Sequence, residues 1–257
     1  MAQGGYIGVD GKARSIAAGY VGVNGVARQI QAGYAGVNGV ARQFFSAGTK
    51  IGDIPVGDTI TFNVNGVPYD FIIVHQGLPS SMYDSSCNGT WLLMKNIYER
   101  RQWHSSNSNS YKASTIHSYL NSTFLTLLDG DIQSSIKQVK IPYVNGTGGS
   151  AVASGANGLN TRIFLLGGYE IGWTQSTHSG FPIDGACLSY FNGATNSDHV
   201  AYLNGAAATW WLRSVNNSST QVTWLVHTSG GIGSSASSVA SGIRPAFVLD
   251  RNFKISD

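Results

Sequence analysis

The chain is poor in charged residues, which make up only 11% of its 257 positions, against about 25% in an average globular protein. The net charge is +3, and Arg100–Arg101 is the one adjacent pair of basic residues. Because no stripe of Lys and Arg is present to neutralise many phosphates, the composition excludes nucleic-acid binding.

Long apolar runs are also missing, and none approaches the ~18 residues that a membrane-spanning helix requires. The first residues, MAQGGYIGVDGKAR, lack the charged start and apolar stretch of a secretory signal peptide. We therefore expect no membrane insertion. The protein is expected either to stay inside the cell or to reach the outside by another route, such as within a virus particle.

Cysteine and histidine are too sparse to predict a metal site. Cys87 and Cys187 are far apart, and neither Cys-x-x-Cys nor His-x-x-x-His occurs. The two thiols either form one disulfide or, as we expect, are both buried and unpaired. We predict no cofactor, and a structural calcium ion held by Asp184 or Asp198 with loop carbonyls is the alternative. Gly-x-Ser-x-Gly is absent as well, which disfavours a hydrolase.

Glycine is abundant, with 33 residues, and the N-terminal part of the chain repeats with a period of 14 residues. The units are GYIGVDGKARSIAA (5–18), GYVGVNGVARQIQA (19–32) and GYAGVNGVARQFFSA (33–47). Each places Asp-Gly or Asn-Gly between β-prone segments, which predicts type I′ turns at Asp10–Gly11, Asn24–Gly25 and Asn38–Gly39. A single hairpin cannot bury its apolar face alone. Residues 1–48 are therefore predicted to be a β-hairpin repeat for oligomerisation or docking, with a homotrimer expected.

Residues 49–257 are predicted to form one α+β domain. Segment 58–77 is predicted to be a hairpin that turns at Asn65–Gly66, and TWLLMKNIY (90–98) begins as a buried strand. Ser114 is a predicted N-cap for a helix through TIHSYLNSTF, whose apolar face is formed by Ile116, Tyr119, Leu120 and Phe124. The remaining predictions are a short helix at 131–139, a strand at KIPYV, a loop from Gly146 to Gly158, a strand at RIFLLGGYEIGW (162–173), and three antiparallel strands at 209–214, 221–228 and 243–250.

The C-terminal strands carry a resemblance to a known family. The order WWLRS (210–214), VTWLVHTSGGIG (222–233) and GIRPAFVL (242–249) resembles the C-terminal core of C-type-lectin-like proteins from bacteria and their phages. These belong to the branch with the formylglycine-generating-enzyme type of fold, and some are variable proteins of diversity-generating retroelements. YKASTIHSYLNSTFL (111–125) and RIFLLGGYEIG (162–172) look like the same family, so the resemblance covers about residues 52–250. The GYVGVNGVAR repeats are similar to those of phage structural and tail-associated proteins.

The resemblance implies a C-type lectin-like fold, with two short helices against small antiparallel sheets and a ligand face on the C-terminal strands and loops. The partner is then a host-surface protein or glycan, and the location is a phage tail or a bacterial cell surface. Calcium-dependent sugar binding is put in doubt, because Glu-Pro-Asn, Gln-Pro-Asp and a later Trp-Asn-Asp are absent.

The composition of residues 214–241 fits a diversified ligand face. These 28 residues include nine Ser, two Asn and three Thr, and no charged residue lies between Arg213 and Arg244. Period-2 alternation in QVTWLVHT predicts that Val222, Trp224 and Val226 face the core. The candidate ligand-binding residues are Tyr190, Asn192, Asn216, Asn217, Ser218, Ser219, Thr220, Thr223, His227, Ser229, Ser234, Ser235 and Ser237.

Two arginines and the two cysteines help to decide between a binding protein and the alternative functions. Arg213 and Arg244 are expected to be internal props that pair with carbonyls or carboxylates, because buried charges need partners; a ligand contact is the alternative. A formylglycine-generating-type enzyme would need a pair of active cysteines, and neither Cys87 nor Cys187 has a neighbouring partner. The favoured interpretation is a non-enzymatic binding protein, and a structural virion or surface protein without a ligand is the second alternative.

Overall fold

A computed structural model describes residues 48–148 and 151–255, together with the backbone of the strands between Tyr6 and Ser46. Contacts between residues divide the chain into two compact units. The smaller unit comprises Met1–Ile54 and Asn252–Asp257, and the larger comprises Pro55–Arg251.

The smaller unit contains three antiparallel hairpins, one for each sequence repeat. Its strands are Tyr6–Val9 (β1), Lys12–Ser15 (β2), Gly19–Val23 (β3), Val26–Ile30 (β4), Ala32–Val37 (β5), Val40–Ser46 (β6) and Thr49–Lys50 (β7), which pairs with Lys254–Ile255 (β24). The strand pairing across each Asp-Gly or Asn-Gly agrees with the predicted hairpins. The turns Asp10–Gly11, Asn24–Gly25 and Asn38–Gly39 themselves lie outside the described residues, so their type I′ geometry stays a prediction.

The larger unit combines short helices with small sheets, so it is α+β as predicted. Its strands are Thr59–Val64 (β8), Val67–Gly77 (β9), Gly89–Met94 (β10), Arg100–Gln102 (β11), Val139–Ile141 (β12), Tyr143–Val144 (β13), Val152–Ala153 (β14), Leu159–Thr161 (β15), Ile163–Phe164 (β16), Ala201–Leu203 (β17), Ala206–Ala208 (β18), Trp210–Val215 (β19), Val222–Val226 (β20), Ile232–Ala236 (β21), Ala240–Gly242 (β22) and Ala246–Leu249 (β23). Its helices are Thr115–Tyr119 (α1), Leu125–Leu127 (α2), Gly130–Ser135 (α3) and Asn196–His199 (α4). No helix of the described residues is long and apolar enough to span a membrane.

The first sheet has the strand order β16-β23-β10-β9-β8. The β8–β9 hairpin turns at Asn65 and Gly66, whose φ angles of 53° and 75° are both positive. This confirms the turn that Asn-Gly predicts, since type I′ requires positive φ at both central residues. Strand β10 is central and buried along its whole length, which explains why its sequence lacks polar alternation.

The second sheet has the order β11-β22-β19-β20-β21. Trp210, Trp211, Leu212 and Trp224 are all buried, as expected for aromatic anchors of this sheet. The three predicted C-terminal strands are confirmed as β19, β20 and β23, each with an antiparallel partner, but the third does not belong to this sheet. Segment 243–250 supplies β23, which pairs with β10 and β16 in the first sheet. The partners of β20 and β19 come instead from the polar residues 232–242, which the alternation of apolar residues does not mark.

The first predicted helix is confirmed. The Ser114 hydroxyl accepts a hydrogen bond of 3.1 Å from the His117 N–H, and Ile116, Leu120 and Phe124 are buried. Between α1 and α2 the helix continues as a wider π-type turn, Leu120–Phe124. The second predicted helix, 131–139, ends at Ser135 because the chain enters strand β12 at Val139. The segment KIPYV divides between β12 and β13.

Two other segments differ from the prediction. The expected loop from Gly146 to Gly158 contains the short strand β14 and a single 3-10 turn at Gly155–Asn157. In RIFLLGGYEIGW only Ile163–Phe164 is a strand, and the chain then turns back, with the Ile171 N–H donating to the Gly167 carbonyl over 3.3 Å. The apolar residues of this segment are buried by a compact turn, which the sequence pattern alone does not distinguish from a strand.

Candidate recognition surface

The turn between β19 and β20 brings five of the predicted site residues together. Residues 216–221 form this turn, called here the 216–221 turn, and it faces Thr147 and Gly148 across a shallow hollow of about 470 Å³. Gly148 has a φ of +63°, and a Cβ atom there would lie 3.0 Å from the Ser219 carbonyl oxygen. The approach of the two segments therefore depends on glycine at position 148.

A buried asparagine holds the backbone of this turn. The Asn109 side-chain amide donates to the carbonyls of Ser219 and Val222 over 2.8 and 2.9 Å, and its backbone N–H donates to the Thr220 carbonyl over 3.0 Å. Its side-chain oxygen accepts from the Gly148 N–H over 2.8 Å. Asn109 is fully buried. Both walls of the hollow are thus fixed by one side chain that itself cannot reach a ligand.

Within the 216–221 turn, side chains divide between internal and outward roles. The Asn216 side-chain oxygen accepts from the Ser218 N–H over 2.9 Å, and the Ser219 hydroxyl accepts from the N–H groups of Gln221 and Val222. Such local bonds shape a turn. Ser218, Thr220 and Gln221 are exposed, so these three side chains are the ones free to contact a ligand.

Asn217 occupies an intermediate position. Its backbone N–H donates to the Gly180 carbonyl over 3.1 Å, and the Trp224 indole N–H donates to the same carbonyl over 3.3 Å. The Trp224 ring packs on Phe181, with centroids 4.4 Å apart. The Asn217 side-chain oxygen is buried without a hydrogen-bond partner. A buried acceptor without a donor is costly, so this side chain belongs to the interior of the turn rather than to its outward face.

The remaining candidate residues do not join this hollow. His227 and Ser229 are exposed in the turn that follows β20 at its other end, where Gly230 packs against the Asn196 carbonyl. Ser234 and Ser235 lie on β21, an edge strand of the sheet. Tyr190 and Asn192 follow Ser189, whose hydroxyl is 2.8 Å from His75 Nδ1.

Two candidate residues are placed wrongly by the sequence prediction. Thr223 and Ser237 are both 0% exposed, so neither side chain can contact a ligand. Strand β20 is covered on both faces, because Leu225 on the side of Thr223 is buried just as Trp224 is on the other. Period-2 alternation assigns one face to solvent only when the strand has a solvated side. His227 is exposed as predicted, and Val222 is half-buried rather than fully buried.

Arg213 is confirmed as an internal prop. Its guanidinium lies 2.5 and 2.7 Å from the two carboxylate oxygens of Glu170 and also donates to the Pro142, Leu165 and Asp184 carbonyls. Both side chains of this ion pair are 0% exposed. Although burial opposes the charge, the carboxylate of Glu170 and the hydrogen bonds to it hold the pKa of Arg213 above its ordinary value.

Arg244 is the second confirmed prop, and its surroundings contain no carboxylate contact among the described residues. It donates to the carbonyls of Met94 and Lys95 and lies 4.6 Å over the Trp210 ring. Burial lowers the pKa of Arg244 to about 10. Both arginines therefore stabilise the scaffold from inside.

The residues considered for metal binding have other partners. Asp184 is buried and accepts from the Ser214 hydroxyl, at 2.9 and 2.8 Å from its two oxygens, and burial raises its pKa to about 6. Asp198 accepts from the Thr195 N–H over 2.7 Å in a capping box at the start of α4. Among residues 48–148 and 151–255, no group of three or more His, Cys, Asp or Glu is placed to hold a metal ion.

The cysteines differ in exposure and form no disulfide with each other. Cys87 is buried, its thiol donates to the Lys140 carbonyl over 3.2 Å, and burial raises its pKa to about 12. Cys187 is exposed, which corrects the expectation of two buried thiols; it lies in an irregular segment, where the chain passes from buried Gly185 to the surface.

Sequence reasoning missed Asn109, Thr147, Gly148 and Gln221. Asn109 lies in the polar run SSNSNS, which carries no periodic signal, and Thr147–Gly148 lies in a loop about seventy residues before the turn that it faces. Only Gln221 could have been found from the sequence, since it is the polar first residue of the predicted strand 221–228 and directly follows the candidate residue Thr220.

The comparisons with known proteins identify a family without a known activity. The model of a family described as a domain of unknown function (DUF6273) matches residues 88–251, more than half of the chain. No curated protein and no solved structure matches significantly.

Proposed function

The chain belongs to the family described as a domain of unknown function (DUF6273), and we propose that this member is a non-enzymatic ligand-binding protein. Its ligand is a protein or glycan on a host surface, and its recognition element is the 216–221 turn with Thr147 and Gly148. The observation that carries the proposal is the way Asn109 holds this turn. All four of its hydrogen bonds go to backbone atoms, which leaves the outward side chains unconstrained.

Rigid backbone beneath replaceable side chains is what recognition by shape and hydrogen bonding requires. Preorganisation lowers the entropy lost on binding, and small polar side chains such as Ser218 and Thr220 adapt to different partners. The same arrangement suits a diversified face, because exchanges at exposed positions leave the core intact. We therefore propose that this turn is a target of retroelement diversification.

We also propose that the larger unit has a C-type lectin-like fold. Support comes from the short helices α1 and α3, the small antiparallel sheets, and the ligand turn between two C-terminal strands. Within that fold, a formylglycine-generating-type enzyme is the less favoured hypothesis. The Cys87 thiol is buried, with a pKa of about 12, and only a thiolate is a good nucleophile. The setting that fits the repeats is a phage tail or a bacterial surface, where an oligomer would bind by avidity.

The proposal predicts that binding to host cells depends on three exposed side chains. The variant Ser218→Ala/Thr220→Ala/Gln221→Ala should lower the amount of labelled full-length chain that binds to cells of a recognised bacterium at least about tenfold. The matched control is Ser122→Ala/Thr123→Ala, two exposed hydroxyl residues on the helical segment after α1. Equal binding by both variants and the parent would mean that this turn is not the recognition element.

The gene provides the test of diversification. Sequencing the locus in several isolates should reveal a near-copy of its 3′ end beside a reverse transcriptase, with differences confined to template adenines. The differing codons should include those of Ser218 and Thr220 and leave Asn109 unchanged. An invariant locus without a reverse transcriptase would remove diversification from the proposal and leave a fixed-ligand role.

A further inference from the structure

A second cleft, of about 850 Å³, lies elsewhere on the larger unit and shares no residue with the 216–221 turn. Its walls are the β8–β9 pair, the segment 95–98 that follows β10, and the β17–β18 hairpin. The volume is within the range of small-ligand sites, about 300–1,000 Å³. None of the sequence patterns considered above points to this cleft.

Three tyrosines line the cleft. The rings of Tyr69 and Tyr98 meet edge to face with centroids 5.5 Å apart, and Phe124 supports Tyr98 from behind at 5.0 Å. Tyr202, on β17, is 47% exposed. An exposed tyrosine offers both a flat apolar face and a hydroxyl, so together these rings can take a ligand that is apolar on its faces and polar at its edges.

The cleft is lined by one negatively and one positively charged side chain, Asp70 and Lys95. Asp70 accepts from the Thr61 hydroxyl over 2.8 Å and lies 3.9 Å from the Lys95 ammonium, with both charged side chains about half exposed. One carboxylate beside one ammonium gives no net field for a strongly charged ligand. Asp70, Lys95 and the amide of Asn96 instead supply acceptors and donors at close spacing, which suits a neutral molecule rich in hydroxyl groups.

The walls are tied together by backbone bonds. The Ile97 N–H donates to the Tyr202 carbonyl over 3.0 Å, and the Tyr202 N–H donates to the Asn96 side-chain oxygen over 3.3 Å. The Lys95 N–H donates to the Asp70 carbonyl over 2.8 Å. The hairpin that carries Tyr202 turns at Asn204 and Gly205, both with positive φ, as a tight type I′ turn requires. The cleft is therefore formed before a ligand arrives.

From this arrangement we propose that the cleft binds a neutral oligosaccharide. The C–H faces of a sugar ring stack on Tyr202 and on the Tyr69–Tyr98 pair, and the hydroxyl groups of the sugar bond to Asp70, Lys95 and Asn96. This site needs no metal ion and is independent of the host-recognition role proposed for the 216–221 turn.

Titration calorimetry of the full chain with five soluble probes tests the proposal: maltotetraose, cellotetraose, xylotetraose, mannotetraose and chitotetraose in its N-acetylated form. At least one should bind, and Tyr202→Ala should weaken that binding about tenfold or more, because stacking on an exposed ring is lost. Tyr202→Phe keeps the ring and should stay within about threefold of the parent. Asp70→Asn should also weaken binding, since a charged acceptor is replaced by a weaker one.

The control is Ile183→Ala, a similarly exposed large side chain at 45% exposure that does not line the cleft. It should bind as the parent does, and unfolding curves of all variants should coincide, so that a loss of binding is not a loss of fold. Binding of none of the five saccharides would overturn the proposal, and so would equal affinity of the parent and Tyr202→Ala. Neither result would bear on the 216–221 turn, whose test uses different residues and whole cells.

Discussion

At the scale of single residues, Arg213 connects segments that are far apart in the sequence. Its side chain extends from β19 and donates to the backbone carbonyls of Pro142, Leu165 and Asp184. It also donates to the Glu170 carboxylate. Glu170 in turn accepts from the Tyr83 hydroxyl over 2.8 Å and from the Gly167 N–H over 2.9 Å. The compact turn that contains Glu170 is therefore held by charge-assisted bonds, which are the stronger kind.

Removing one partner of this pair should be costly. We expect Glu170→Ala to lower the free energy of unfolding by about 3 kcal/mol or more, because an uncompensated guanidinium stays buried. Urea denaturation measures the difference. The control is Glu99→Ala, which breaks the surface pair Glu99–Arg101, whose side chains are 36% and 40% exposed, and should cost below about 1 kcal/mol. Losses of equal size would contradict a special role for the buried pair.

Asp184 should make stability depend on pH. Its pKa is raised by burial from 3.8 to about 6, so between these values the folded protein holds a proton that the unfolded chain releases. Stability from this group is therefore present at low pH and is lost as the pH rises toward 6. In Asp184→Asn, unfolding free energies measured from pH 4 to 7 should fall less with rising pH than in the parent. The exposed Asp131→Asn should keep the parent's slope, and an unchanged slope in Asp184→Asn would contradict the assignment.

At the scale of elements, the hairpin β8–β9 is specified by its own residues. Its turn needs positive φ at Asn65 and Gly66, and the flanking residues alternate between buried and exposed along β8. Both requirements are visible without any knowledge of distant residues.

Gly66→Ala should therefore destabilise the protein by about 1 kcal/mol, because a side chain is strained at its φ of +75° although nothing lies within 4 Å of the added Cβ. Gly130→Ala is the matched control: it also has open space around the Cβ, but its φ lies outside the positive region and it begins α3. It should change stability by less than about 0.5 kcal/mol or increase it. Thermal unfolding of both variants measures the contrast.

The sequence predicts correctly those features that depend on residues close together in the chain, and it fails for those that depend on distant residues. Local signals, such as Asn65–Gly66, the Ser114 cap and the apolar run of β10, are sufficient for the elements that they specify. Segment 243–250 is predicted to be a strand, but its place in the first sheet is not predicted, because its partner β10 lies some 150 residues earlier in the chain. For the site, the turn 216–220 is found from its polar composition. Asn109 and Gly148 are not, because their roles arise only when distant segments meet.

At the scale of the whole molecule, the three hairpins of the smaller unit carry the proposed assembly function. Each hairpin pairs only with itself among the described strands, and two-stranded ribbons are marginally stable alone. Association of several chains would bury their apolar faces and multiply the number of recognition turns on one particle.

We expect the full chain to sediment as a homotrimer of 27.2 kDa subunits and a chain without residues 1–47 to sediment as a monomer. The reason is that the proposed contacts between subunits lie within the repeats. Sedimentation equilibrium at several protein concentrations measures both masses. A single-chain mass for the full-length protein, or the same oligomer after the deletion, would contradict assembly through this segment.

The hydrogen bonds from Asn109 to the 216–221 turn have a practical consequence. Its bonds reach backbone carbonyls, which every amino acid possesses, so they do not select among side chains at positions 218, 220 and 221. Proline is the exception at 218 and 221, where it would remove an N–H that bonds within the turn. A combinatorial library with these three codons randomised should therefore yield mostly folded members. The larger unit thus offers a starting point for display of engineered binders, in which selection acts on the turn while one buried amide preserves its shape.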